Sequence, residues 1–256
     1  MVLLANQRSA VLASDSFEHA SNVGLTATFT RKIDKIGQNL LLGMSGIGAS
    51  VDRNGKTIVD LQKSLPPVAG ALSWSEPEAN VLKLHEAILN QLRPLTQILF
   101  DGPPDRSLDP RVTILLAGLS PRKGIFAARF NYPGTYLKQG ANHRVSFSAG
   151  NWEMLPIRQG KLLTLILTRL ENVEREARDV LAGWNVAFLR YPSICRLHES
   201  NLYVDEKILR AAAEDVVKFT MDRDKYIGGL IQVVSLSSED AHDTTPPNSK
   251  RPLGGS

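Results

Sequence analysis

Asp15 closes the run "SAVLASDS" (9–16), a carboxylate at the end of an apolar strand, and Lys32 opens another strand downstream. Gly46 and Gly48 follow in "GMSGIG", and Asp224 precedes the paired Gly228 and Gly229 in "DRDKYIGG". Read on residue type alone, Asp15 and Lys32 make a structural ion pair between neighbouring strands. The glycines near 46 permit close packing or a positive φ at a turn, Asp224 ends the last helix, and Gly228–Gly229 mark a close backbone approach. A second stretch, "SVDRNGKT" (50–57), tests phosphate chemistry. Gly55, Lys56 and Thr57 fit the loop G-x-x-x-x-G-K-[ST], but Ser50 stands where its first glycine lets the backbone wrap the phosphates, so nucleotide binding is the minor alternative and an Asn-Gly turn the simpler one. The single Cys195 reads as a small core residue, and the five histidines show no metal-ligand spacing. His85 falls on an apolar helix face as a satisfied core histidine. No cofactor and no metal are expected.

The elements that must position these residues alternate in a definite order. Val2–Ala5 and Ala10–Ser14 flank "NQRS" as a hairpin, and Lys32–Ile36 and Leu40–Met44 flank "GQN" as another. A first helix is expected within 49–65, against the turn signal of Asn54-Gly55. The second is better marked. Ser75 is its expected cap, Pro77 its first turn and Glu78 its capping-box residue, with Val81, Leu84, His85, Ile88, Leu92 and Leu95 on one face and Pro94 ending it near Arg93. After the loop "DGPPDRSLDP" come "RVTILLAGL", "KGIFAARF", the "NYPG" turn and two weaker strands ending in "VSFSAGN". A long helix is expected over 160–190, within a 151–203 region whose Trp152, Trp184 and Phe188 read as added core. Asp205 caps a last helix with Ile208, Ala212, Val216 and Phe219 inward, "LIQVVSL" is a last strand, and residues 239–256 form a polar, Pro-rich tail expected to be disordered.

A chain of 256 residues, 43% hydrophobic and 22% charged, is expected to build one domain over 1–238. A net charge of +4 with scattered Lys and Arg gives no nucleic-acid footprint. The longest apolar window, "KLLTLILTRL" (161–170), is too short to span a membrane, and no secretory signal opens the chain, so a cytoplasmic protein is expected.

Strands, two helices, strands, helices and a strand describe an α+β fold with two antiparallel sheets between helix layers. With that order, three stretches carry a resemblance. "AVLASDS" is similar to the Asp-bearing second strand of the proteasome-type (β-subunit-like) N-terminal-nucleophile (Ntn) hydrolases. "TRKIDKIGQNLLLGMSGIGAS" resembles their lysine strand and glycine turn, and "TMDRDKYIGGLIQVVSL" the end of their penultimate helix and the strand after it. "FSAGN" (147–151) is a weaker match to a Gly-Ser-Gly-Ser-like segment. The resemblance covers most of 1–236. It implies a four-layer αββα sandwich, a homo-oligomeric ring, a peptide or protein substrate, and hydrolysis by the hydroxyl of the first residue of the mature chain, with its own amine as general base. In that scheme Lys32 steers the proton transfer, Asp15 and Asp224 hold the lysine and the amine, and the Gly46 backbone N–H receives the oxyanion.

The nucleophile departs from the pattern, since "MVLLA" offers neither hydroxyl nor thiol with or without Met1. Ala149 and Ile227 also stand where the family has serines. Two readings follow from the resemblance: a threonine-type peptidase or amidohydrolase whose mature N-terminus lies upstream of Met1, or a non-catalytic subunit that builds a ring or binds a partner.

Overall fold

In the computed structural model, placement is described for residues 1–18, 28–29, 31–46, 48–51, 57–97, 99, 110–167, 191–199, 204–223 and 227–239. Strands β1 (Val2–Ala5), β2 (Ser9–Asp15), β3 (Phe17–Glu18), β4 (Thr28–Phe29), β5 (Ile33–Ile36), β6 (Leu40–Gly46), β7 (Ala49–Val51) and β8 (Thr57–Asp60) precede helices α1 (Leu61–Ala71) and α2 (Pro77–Leu92). Then come β9 (Val112–Ser120), β10 (Gly124–Tyr132), β11 (Gly134–Gln139), β12 (Asn142–Phe147), β13 (Asn151–Leu155), β14 (Leu163–Ile166), α3 (Pro192–Glu199), α4 (Glu206–Met221) and β15 (Ile231–Ser237). One sheet has the order β14-β1-β2-β15 and a second β13-β10-β9-β6-β5, with β3-β4, β7-β8 and β11-β12 as separate pairs. Every pairing within the two large sheets is antiparallel.

The period of two along each strand sorts its side chains onto opposite faces, and in both sheets both faces are apolar. In the five-stranded sheet Leu40, Leu42, Met44, Ile114, Leu116 and Phe130 pack with Leu61, Leu65, Leu84 and Ile88 of α1 and α2. In the four-stranded sheet Val2, Leu4, Val11 and Ala13 pack with Ile194 of α3 and with Leu209, Ala213 and Val216 of α4. The alternate residues of both sheets share a third cluster: Leu3, Ala5, Ala10 and Leu12 from one, Leu41, Leu115, Ala117 and Ala127 from the other. At about 1.5–3 kcal/mol for each fully buried Leu or Val, these three clusters dominate the free energy of folding.

Four expectations are corrected. The 49–65 stretch opens as the β7–β8 ladder, and helix starts at Leu61, where the Asp60 carboxylate accepts from the Lys63 amide at 3.0 Å. That helix runs through Pro66 and Pro67, because Leu61, Leu65 and Ala69 are all buried and core packing outweighs the lost backbone bonds. Thr57 thus opens a strand rather than a helix, and 52–56, with the Asn-Gly turn and Lys56, lie outside the described residues. Glu76, not Ser75, is the cap residue of α2, and it makes no side-chain cap bond. The Ser75 hydroxyl meets that of Ser73 at 3.3 Å instead, and Glu78 holds Lys123 at 2.6 Å.

The 160–190 helix is not found where it can be checked. Leu163–Ile166 is a strand that completes the sheet beside β1, and Asn151–Leu155 is another; 168–190, with Trp184 and Phe188, lie outside the described residues. Ile208 is 46% exposed, since the buried face of α4 runs through Leu209, Ala212, Ala213, Val216, Val217 and Thr220. Three further readings hold, while the Cys195 side chain lies outside what is described. Asp205 caps α4 by accepting from the Ile208 amide at 2.9 Å, α2 ends at Leu92 before a 3-10 turn over Arg93–Gln97, and Trp152 packs on the core beside α2. His85 is half-buried, with Nδ1 2.8 Å from the Tyr132 hydroxyl, and burial lowers its pKa. The 240–256 tail lies outside the described residues. Among the described residues no helix is long and apolar enough to cross a membrane.

Candidate active site

Asp15 is the last residue of β2, and its neighbours in the sheet are set by register: Ile231 of β15 lies opposite it. Lys32 sits one residue before β5 of the other sheet, where its carbonyl accepts from the Met44 amide at 2.9 Å. The two sheets thus bring the two side chains to a common end, and Lys32 Nζ donates to Asp15 Oδ1 at 2.9 Å. The pair is largely withdrawn from water, with side-chain exposures of 18% for Lys32 and 7% for Asp15. The other carboxylate oxygen, Oδ2, accepts from the Gly228 amide at 3.3 Å, so the glycine segment before β15 is tied to the same group. A buried carboxylate needs such partners, because desolvation would otherwise outweigh its attraction to the ammonium.

Two further residues fix this arrangement. Gln232 Oε1 accepts from the Lys32 amide at 2.9 Å and from the Ile33 amide at 3.3 Å, clamping the lysine's backbone in one sheet to β15 in the other. Ser16 Oγ accepts from the Leu230 amide at 2.8 Å and anchors the chain just after Gly228 and Gly229. Neither residue is singled out by the sequence reading. For Gln232 a signal exists, a lone amide inside the apolar run "IQVVSL".

Gly46 ends β6 two residues beyond Met44, the backbone partner of Lys32, or about 7 Å along the strand. Its φ is +95°, and a Cβ built there would lie 1.8 Å from the Arg111 carbonyl oxygen, so no side chain fits. Asp15, Lys32 and Gly46 therefore share one end of the sheet pair, while Asp224 lies outside the described residues. Ala149 stands in the segment leading into β13, and Ile227 leads into Gly228.

The Met1 amine belongs to the same end. It donates to the Leu167 carbonyl at 3.0 Å, and burial, with the Asp15 charge opposing and the Lys32 charge adding, brings its pKa down to about 6. With Met1 as the first residue, the geometry holds a carboxylate–ammonium pair near an amine whose pKa burial lowers. Among the described residues, no group of three or more His, Cys, Asp or Glu is placed to hold a metal ion.

Neither a scan of protein-family models nor a search of curated proteins finds a match. Solved structures do match. The Anbu complex of Pseudomonas aeruginosa, described as a helical assembly, aligns over 93% of this chain and 81% of its own at 12% identity and a TM-score of 0.51. Anbu (ancestral beta-subunit) from Yersinia bercovieri aligns over 92% and 80% at 12% identity with a TM-score of 0.49, and the eukaryotic HslV of Trypanosoma brucei over 93% and 99% at 13% identity with a TM-score of 0.39. At these identities what is shared is architecture, and the chain has the proteasome-type Ntn-hydrolase fold.

Proposed function

We propose that this protein is a proteasome-like subunit of the threonine-type peptidase lineage, a single four-layer αββα domain over residues 1–238 that assembles with copies of itself in the cytoplasm. The observation that carries the reading is the Asp15–Lys32 pair at 2.9 Å, held across two sheets at the end where Gly46 admits no side chain. A surface ion pair would not require a buried carboxylate, a clamped lysine backbone and an obligate glycine at one end. In the proposed chemistry the first residue's hydroxyl attacks, its amine takes the proton as general base, Lys32 favours that proton transfer, Asp15 holds the lysine, Asp224 holds the amine, and the Gly46 amide receives the oxyanion.

The β1–β2 register says where a nucleophile would be carried. Val2 lies opposite Ala13 and Leu3 opposite Leu12, so a residue preceding Met1 in a longer chain would continue β1 opposite Asp15. A hydroxyl there would enter the neighbourhood of Lys32. The second reading, a non-catalytic ring-forming subunit, is favoured by Ala149 and Ile227, which supply no hydroxyl at the two places where the resemblance calls for serine. Intact mass and N-terminal sequencing of the protein from its native source decide between them. A mature chain beginning upstream with Thr, Ser or Cys and cleaving fluorogenic peptides establishes the hydrolase, and one beginning at Met1 or Val2 without cleavage establishes the non-catalytic subunit. Light scattering that finds only monomer refutes self-assembly in either case.

A further inference from the structure

Strand β15 ends the strand order of the four-stranded sheet, and among the described residues it pairs only with β2. Its register fixes which backbone groups face outward. The Ser238 amide donates to the Arg8 carbonyl at 2.7 Å, one position beyond the Ser9–Ser237 pair. Antiparallel strands exchange hydrogen bonds at alternate residues, so Leu236, Val234 and Gln232 bond to β2, while Ile231, Val233, Ser235 and Ser237 direct their N–H and C=O groups away from it. The strand itself, "IQVVSLS", carries no charge, no proline and no glycine, and Ile231, Val233 and Val234 are β-branched. An unguarded edge of this composition is a template for a further strand.

Two of the outward carbonyls are taken, each by a cation from a different layer. From α4, Arg210 donates through Nη2 to the Val233 carbonyl at 3.3 Å and through Nη1 to Ser235 Oγ at 2.7 Å. The same hydroxyl donates to Oε1 of Glu206, one helical turn before Arg210, at 2.5 Å, so the guanidinium is held over the strand. From β5 of the other sheet, Lys35 Nζ donates to the Ser235 carbonyl at 3.2 Å. A strand arriving at this edge would need both carbonyls for its own amides, and the charge-assisted bonds already there are stronger than the neutral ones that would replace them. We propose that Arg210 and Lys35 are gatekeepers, which keep β15 from adding the β15 strand of a second copy of this chain. A second copy fits because the outward set is self-complementary: a twofold axis at Val234 sets Val233 opposite Ser235 and Ile231 opposite Ser237, all four with outward backbone groups. The inference is independent of the peptidase reading, since it concerns a sheet edge and not the candidate site.

The test is sedimentation velocity of the full chain, with the mass of the unaltered particle as reference. Arg210→Met with Lys35→Met removes both cations, and the particle should gain about twofold or more in mass, increasingly with concentration up to about 100 μM. Hydrogen exchange at the Val233 and Ser235 amides should slow in the associated form. Val233→Pro in the same background deletes an outward amide and no bond to β2, and returns the particle to the reference mass. Arg210→Lys with Lys35→Arg keeps both cations and the reference mass. Lys35 is exposed, so Lys35→Met alone keeps the fold, and it replaces the double variant if that one does not fold. A folded variant of either kind that stays at the reference mass overturns the inference, as does association that Val233→Pro leaves intact. An unaltered particle that Val233→Pro breaks down overturns it too, since the edge would already be in use.

Discussion

The Asp15–Lys32 pair is one of the polar links between the two sheets, and its strength follows from its burial. Removing one partner of a buried ion pair costs about 3–5 kcal/mol, chiefly because the other charge is stranded. Lys32→Met strands a carboxylate that is only 7% exposed and keeps the Gly228 amide as partner, which places the expected loss near 3 kcal/mol, the low end. Asp15→Asn strands an ammonium that is 18% exposed and can turn partly to water, so a loss of about 2–3 kcal/mol is expected. The double variant leaves no unpaired charge. It should lose no more than about 3–4 kcal/mol, well below the sum, a coupling of about 2 kcal/mol. Urea unfolding at fixed protein concentration measures all four corners of the cycle, provided the slopes agree. Losses that add to within about 0.5 kcal/mol would mean that the two groups do not sense each other, and the buried Asp15–Lys32 contact would be refuted with them.

Three other outcomes are expected. Gly46→Ala puts a methyl group into the Arg111 carbonyl at φ +95°, so the end of β6 must move, with a loss of more than 2 kcal/mol; thermal unfolding unchanged from the parent would refute it. Gln232→Leu leaves the Lys32 and Ile33 amides without their acceptor at about 1–3 kcal/mol, and backbone hydrogen exchange should rise at those two amides first. In a chain whose first residue is Met1, the amine has a folded pKa of about 6 against 8.0 unfolded, so between pH 6 and 8 the unfolded chain binds more protons and stability rises with pH. The gain is about 2–3 kcal/mol, fully present above pH 8 and lost as pH falls through 6, and it is absent from a chain acetylated at Met1; equal pH profiles for the two forms would contradict the burial of the amine.

The order of elements was legible because strands buried on both faces read as short apolar runs, as in "VTILLAGL", and because Asp205 and Pro94 mark a helix start and stop by backbone chemistry alone. What misled was equally physical. "KLLTLILTRL" is apolar enough for a helix or a buried strand, and only β1, distant in sequence, settles it by pairing Leu163–Ile166 with Val2–Ala5. Pro66 and Pro67 argue against a helix locally, yet α1 persists through them on the packing of Leu61, Leu65 and Ala69.

The site divides in the same way. Asp15, Lys32 and Gly46 could be named from the sequence because strand ends and glycine turns are local features. Their companionship with Gln232 could not, since that contact spans the gap between sheets across the length of the chain. Gln232 takes its place on β15 from the register with β2, and Lys32 takes its place from the register of β5 with β6. Each register is fixed by alternation against an apolar cluster, because a slip of one residue in β15 or β5 would turn its core side chains outward. The 2.9 Å contact between Lys32 and Asp15 is therefore set by the packing of the layer between the sheets. A core substitution in that layer, such as Leu12→Ala, should loosen the pair without touching it, seen as a smaller coupling in the Asp15–Lys32 cycle than in the parent chain. An unchanged coupling would show that the strand ends hold the site by themselves.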